Sequence, residues 1–301
     1  MLNSGILKLK FNQMQSKHFK WYLLLILALI WGSSFILMKR GLEGLNPFQL
    51  GSLRIIFCAL FLLIVGFKNI AKIPPGTWKY IALTSLFGTF LPVYLFAIAQ
   101  TQIHSSVSAI LNSLTPLNTL IIGAVIFGVQ FQKRQLFGVL IGLAGCIMLI
   151  YNGAINNPDQ NHFFSLFVVV ASCCYATNVN LIKRYLSDLS PMSISVGNFI
   201  VMLVPAIIIL FCSGFTEVVV EPKAQTAMIY IAILAVLGTG VANLLFYKLI
   251  QMSSPIFSSS VTYLIPVVAF GWGLMDNESL TVIQGLGAAI ILVGVYFSAR
   301  K

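Results

Sequence analysis

The chain has 301 residues, 58% of them hydrophobic and only 8% charged, with a formal net charge of +11. Soluble domains carry about 25% charged residues, and here long runs carry none, so a soluble domain is excluded. About 20 mostly apolar residues are needed to cross the bilayer core. Ten such runs can be placed, at about 20–38, 47–67, 77–98, 104–126, 135–151, 163–182, 191–212, 225–247, 254–275 and 280–298. The expected fold is an all-α membrane protein of ten transmembrane helices, with connectors too short for a separate soluble domain.

Residues 1–16 read as a cytoplasmic N-terminal tail, a basic flank that sets topology. The first run is too long for a signal peptide and reaches Lys39-Arg40 with no small-residue cleavage pattern. With the N-terminus inside, Lys8, Lys10, Lys17, Lys20, Lys68, Lys72, Lys79, Lys133, Arg134, Lys183, Arg184, Lys248, Arg300 and Lys301 are cytoplasmic. Lys39, Arg40 and Lys223 fall outside, and Arg54 within a span. Because Lys and Arg alone set orientation, both termini are expected in the cytoplasm. The basic balance is thus a topology signal and implies no nucleic-acid partner. Cys58, Cys146, Cys173, Cys174 and Cys212 all lie in spans and read as small apolar residues, not as a disulfide framework or metal site.

The first span ends in WGSSFILMKRGLEGLNP (residues 31–47), and the sixth in CYATNVNLIKRYLSDLSP (residues 174–191). With Tyr175 under Trp31, Lys183-Arg184 fall under Lys39-Arg40 and Pro191 under Pro47, without a gap. Further on, Gly88-Thr89 of the third span matches Gly238-Thr239 of the eighth, and Leu114 and Pro116 of the fourth match Leu264 and Pro266 of the ninth. In the fifth and tenth, Gln135, Gly138 and Gly145 match Gln284, Gly287 and Gly294. The chain therefore reads as a duplicated five-helix unit, residues 17–152 and 160–301. Five is odd, so the second copy enters the membrane from the opposite side. Such inverted repeats place a substrate site near the bilayer midplane, between the halves.

The run at 31–47, Arg54 seven residues after Pro47, the segment from Ala109-Ile110-Leu111 to Pro116 and the Gly138/Gly145 helix together resemble an EamA-type member of the drug/metabolite transporter superfamily, over about residues 20–300. The resemblance implies a multi-pass secondary carrier of the cell membrane (the bacterial cytoplasmic membrane), usually an exporter of amino acids or other small metabolites. It also implies a cavity lined by helices one to four and six to nine, with the fifth and tenth set apart.

Several chemistries are missing. There is no GxxxxGK[ST] phosphate loop, no Gly-x-Ser-x-Gly elbow and no pair of carboxylates. His18, His104 and His162 are too scattered for a metal cluster, so no metal, cofactor or enzyme activity is expected. No carboxylate is placed inside a span, and intramembrane carboxylates are the usual proton relays. The small multidrug-resistance relatives of the same superfamily need a glutamate in the first helix. Trp21 to Met38 has none, which disfavours a lipophilic-cation exporter.

Candidate substrate-binding residues are polar and aromatic side chains sharing helix faces. They are Trp31 and Ser34 on the first helix, Tyr175 and Asn178 on the sixth, Asn112 and Thr115 on the fourth, Thr239 and Asn243 on the eighth, Ser259 and Tyr263 on the ninth, and Tyr94 on the third. For each, a role as glue between helices competes, at about 0.6 kcal/mol per bond. Arg54 is the cation well inside a span, and its matching residue is Asn198. It reads as a carboxylate anchor, a gate or a structural arginine; the resemblance carries an arginine here for many substrates, which favours the latter two. Pro116 and Pro266 are candidate hinges, because proline deletes an amide donor and clashes with the preceding turn. Gly138, Gly142 and Gly145 form a small-residue stripe suited to helix packing. Lys39-Arg40 and Lys183-Arg184 suit helix C-termini.

The expected function is export of small metabolites such as amino acids by alternating access, through a cavity between the repeats. The expected partners are a small-molecule substrate and the lipid bilayer, with a homodimer left open. A flippase or enzyme acting on lipid-linked intermediates, and a non-transporting membrane scaffold, are the alternatives.

Overall fold

The computed structural model describes residues 2–103, 105–154, 162–275 and 282–299. It is all-helical, and no strand occurs among the described residues. The helices are α1 (Leu2–Leu42), α2 (Pro47–Gly66), α3 (Trp78–Ser85), α4 (Leu91–Ala99), α5 (Ser105–Asn112), α6 (Thr115–Val125), α7 (Lys133–Ala154), α8 (Ser165–Tyr185), α9 (Pro191–Cys212), α10 (Phe215–Val218), α11 (Pro222–Ile233), α12 (Ala242–Met252), α13 (Pro255–Ser259), α14 (Val261–Met275) and α15 (Val282–Ala299). Among the described residues six helical stretches are long and apolar enough to cross a membrane: His18–Leu42, Pro47–Lys72, Pro75–Ala99, Ser165–Tyr185, Pro191–Cys212 and Pro222–Met252. Outward-facing Ile64, Val125 and Val220 are each more than 70% exposed, as a lipid environment requires.

Local sequence explains where helices start. Asn46 caps α2: its Oδ1 accepts from the amides of Phe48 (3.0 Å) and Gln49 (2.9 Å), and Gln49 Oε1 accepts from the Asn46 amide in return. Pro47, which has no amide proton to orphan, fills the first helical position. The same device opens α9 with Ser190 and Pro191, and α13 with Ser254 and Pro255. The Asn46 and Gln49 amide groups also reach across to Ser213 O, at 3.2 and 3.0 Å, tying the start of α2 to the end of α9.

Pairing runs across the chain rather than along it. α2 packs on α9, α7 on α15, α1 on α14, α11 and α12, and α8 on α4 and α6. The α7–α15 pair is held by glycines: Gly145 meets the backbone of Ile291 and Gly287, and Gly294 meets that of Gly142 and Gly138. Lys39 and Arg40 sit in the last turn of α1, and Lys183 and Arg184 in that of α8. The second pair bonds carbonyls of neighbouring elements: Lys183 Nζ donates to Ile250 and Gln251 O, both at 3.0 Å, and Arg184 to Phe127 O.

Four helices are interrupted at the level where the interior turns polar. Wide π-turns at Leu86–Phe90 and Leu234–Val241 separate α3 from α4 and α11 from α12. The run expected at 104–126 breaks between α5 and α6, directly before Pro116. That expected at 254–275 breaks at Ser260, so Pro266 lies inside α14 rather than at its break. In each case a hydroxyl takes the carbonyl that the proline deprives of its amide. Thr115 Oγ1 donates to Asn112 O at 2.6 Å, and Ser113 Oγ to Thr262 O at 3.2 Å.

Candidate functional site

The interrupted helices converge on an internal cavity of about 870 Å³, solvent-continuous parts included. α1 supplies Trp31, Ser34, Phe35 and Met38, while α8 supplies Tyr175 and Asn178. Each π-turn contributes its Gly-Thr pair, Gly88-Thr89 and Gly238-Thr239. Asn112, Thr115, Ser259 and Thr262 line it from the broken helices, Asn243, Phe246 and Tyr247 from α12, and Arg54 from α2. No described residue of α7, α9 or α15 lines it.

A π-turn adds one residue to a helical turn and loosens its amide-carbonyl ladder, a feature frequent at functional sites. Glycine lets neighbours approach that opened backbone closely. The Asn178 amide packs on Gly88, where a Cβ would lie 2.6 Å from the amide carbon. Ser34 Oγ packs on Gly238, 2.8 Å from a Cβ built there. Trp31 Nε1 donates to the Gly238 carbonyl at 3.0 Å, and Thr239 Oγ1 donates to Leu234 O at 3.2 Å.

Arg54 is 9% exposed, and its Nε donates to Thr239 Oγ1 at 2.7 Å, across 185 residues of sequence. The described ion pair, Arg40–Glu43, lies at the exposed end of α1, so no carboxylate compensates Arg54 among the described residues. Its counterpart Asn198 sits behind the cavity wall instead. The Asn198 amide donates to Tyr247 OH at 3.0 Å and accepts from Thr84 Oγ1 at 2.9 Å. Aromatic rings form the apolar lining, with Trp31 edge-on to Phe246 at 4.9 Å and Phe96 stacked on Tyr175 at 5.9 Å.

Ten of the twelve sequence candidates line this cavity: Trp31, Ser34, Arg54, Asn112, Thr115, Tyr175, Asn178, Thr239, Asn243 and Ser259. Tyr94 and Tyr263 do not. Tyr94 OH bonds Ser52 Oγ at 2.9 Å in a cluster with Phe48 and Phe90, and Tyr263 OH donates to Val139 O at 2.9 Å while its ring packs on Gly142. Pro116, at the start of α6, and Pro266, inside α14, are both buried without lining the cavity. Sequence reasoning missed Phe35, Phe96, Phe246, Thr89, Tyr247 and Thr262. For Thr89 a signal was present, since it is the match of Thr239; the phenylalanines are indistinguishable in sequence from lipid-facing ones. Other polar residues do hold helices together, as Asn118 does to Ser172 Oγ (2.8 Å) and Asn180 to Thr119 O (3.1 Å), both joining α6 to α8.

Apolar helices on the outside and a polar, partly aromatic cavity within define a multi-pass membrane protein built to hold a small molecule. The chain belongs to the EamA-like transporter family, whose model matches residues 19–151 and again residues 162–300. It is a multi-pass membrane transporter of the cell membrane. It is similar to the uncharacterized inner membrane transporter YedA of Escherichia coli (strain K12), 27% identical, with 90% of this chain and 88% of that one aligned. It is also similar to the probable amino-acid metabolite efflux pump of the same strain, 24% identical over 92% of this chain and 93% of that one. A solved crystal structure 15% identical to it shares the fold, with a TM-score of 0.70 over 96% of this chain and 99% of the other.

Proposed function

We propose that the protein is a secondary transporter exporting small metabolites such as amino acids by alternating access. In this reading the chain is two inverted five-helix repeats, residues 17–152 and 160–301, making ten spans with both termini cytoplasmic. The observation that carries it is the composition of the cavity wall. Trp31 with Tyr175, Ser34 with Asn178, and Gly88-Thr89 with Gly238-Thr239 are repeat-related pairs lining one space. A rocking motion of one half against the other exposes such a space to each side in turn. The name of the amino-acid metabolite efflux pump supports the substrate class. A scaffold would need no such cavity, and Arg54 with its aromatic surroundings suits a small polar solute better than a lipid tail.

Among the described residues no carboxylate lines the cavity, so the carrier runs by facilitated efflux or exchange without strong proton coupling. Proteoliposomes of the purified chain, loaded with a defined mixture of metabolites, test both statements. Protein-dependent efflux of small metabolites is expected with or without a proton gradient. The absence of any flux overturns the transporter reading, and flux that collapses in both directions without a proton gradient overturns the coupling.

A further inference from the structure

Among the described residues of the cavity wall, Arg54 is the one that carries a charge. Its Nε is taken by Thr239 Oγ1, but neither Nη1 nor Nη2 has a hydrogen-bond partner among the described residues. Neither is sealed off from the cavity, so the four N–H donors they carry open onto it. Tyr175 lies within electrostatic range of Arg54 and lines the same space. Its hydroxyl is likewise unsealed and has no described hydrogen-bond partner. Its counterpart Trp31 instead commits its donor to the Gly238 carbonyl, next to the Thr239 that holds Arg54.

A guanidinium stays protonated at every ordinary pH, so Arg54 cannot shed its charge by losing a proton. An uncompensated charge inside a membrane is costly, and intramembrane ions therefore pair with a partner or mark an ion pathway. The described wall holds no carboxylate for Arg54, and the described ion pair, Arg40–Glu43, lies at the exposed end of α1. Compensation must then come from solution. One cation on the described wall calls for one negative charge; a divalent anion would leave the excess reversed in sign.

From this imbalance we infer that the cavity holds a resident inorganic anion of single charge and halide size, bound by Nη1 and Nη2 of Arg54 and the hydroxyl of Tyr175. Under cellular conditions that ion is chloride. It is a counter-ion and not cargo: it neutralises the guanidinium whenever no other solute covers it. The empty cavity can then stand inside a bilayer without an unpaired charge. Binding of the ion does not rest on the transporter reading. A chain that binds halide and moves no metabolite satisfies this inference and fails that reading.

Trp31 supplies the probe, because its indole bonds the same π-turn that holds Arg54 and bromide in contact with an indole quenches its fluorescence. The full chain in detergent is titrated with sodium bromide at constant ionic strength, balanced with sodium sulfate. Quenching should saturate, added chloride should reverse it, and added sulfate should not. Trp31→Phe should remove the saturable part and leave only the linear, collisional quenching of the other tryptophans. Tyr175→Phe should raise the half-saturating bromide concentration about tenfold, the worth of one hydrogen bond to a charged partner. Arg54→Gln should abolish saturation. Quenching that stays linear in the parent protein overturns the inference whatever the variants do, and so does sulfate displacing bromide as well as chloride does. Saturation that persists in Arg54→Gln puts the ion elsewhere and overturns it too. In crystals grown from sodium bromide an anomalous peak is expected against the Arg54 guanidinium, and bromide peaks that all avoid Arg54 overturn the assignment.

Discussion

Ser113 Oγ, at the break between α5 and α6, donates to Thr262 O in α14, the carbonyl four residues before Pro266. Pro266 has no amide to offer that carbonyl, and in a membrane interior a carbonyl without a donor is costly. One half of the chain thus completes the backbone of the other. The single proton of that hydroxyl is shared with Ala109 O at 3.0 Å, so Ser113 lies between a carbonyl of its own helix and one of α14.

Ser113→Ala should therefore destabilise the protein by about 1 kcal/mol. For a chain of this size that lowers the apparent Tm by about 2–4 °C. Thermal unfolding of the detergent-solubilised protein reads the shift. An unchanged Tm would mean that Thr262 O finds its donor elsewhere.

The π-turn glycines have a sharper prediction. A Cβ at Gly88 would stand 2.6 Å from the Asn178 amide carbon, and one at Gly238 would stand 2.8 Å from Ser34 Oγ. Neither contact can be kept, so in Gly88→Ala the Asn178 amide is pushed off the turn. Gly88→Ala should cut efflux at least tenfold while its elution on size exclusion and its Tm stay within a few degrees of the parent. Gly238→Ala should cost more in stability, because the Trp31 bond to the Gly238 carbonyl shares that turn.

How legible was this arrangement? The duplicated register of Gly88-Thr89 and Gly238-Thr239 marked two related places, and ten candidates chosen by helix face line one cavity. Sequence could not mark them as π-turns, because the apolar run continues unbroken through both. Tyr94 and Tyr263 looked equivalent to the others by composition. Their partners Ser52 and Val139 are set by helix rotation, which a nearly uniform apolar sequence does not encode. Pro116 and Pro266 matched in register, yet the backbone breaks before Pro116 and at Ser260. Which residue unwinds depends on where hydroxyls such as Thr115 and Ser113 can reach.

Transport should be nearly insensitive to pH. The described carboxylates, Glu43, Asp188, Glu217 and Glu221, are all exposed at helix ends, and none lines the cavity. Arginine stays charged at all ordinary pH values, and no lining histidine is present among the described residues. Efflux rates measured at equal inside and outside pH from 5.5 to 7.5 should vary by less than about twofold, since among the described residues no carboxylate and no imidazole is on the wall. A bell-shaped or stepped profile would point to a titrating group elsewhere in the cycle.

The α7–α15 pair gives a prediction that separates stability from recognition. No described residue of either helix lines the cavity, yet their backbones meet through Gly145 and Gly294. A Cβ on Gly145 would lie 2.8 Å from the Ile291 amide and 2.9 Å from Gly287 O, and one on Gly294 would collide with the Gly142 backbone. These neighbours are main chain and cannot turn aside, so the helices must separate. Overpacking of this kind costs about 1–3 kcal/mol, and in lipid close van der Waals contact is much of what holds two helices together. Gly294→Ala should lower Tm by several degrees, and Gly145→Ala by somewhat less. Both should retain the parent KM and the parent preference among substrates in proteoliposomes. A change in KM without a change in Tm would place this pair in the transport pathway instead.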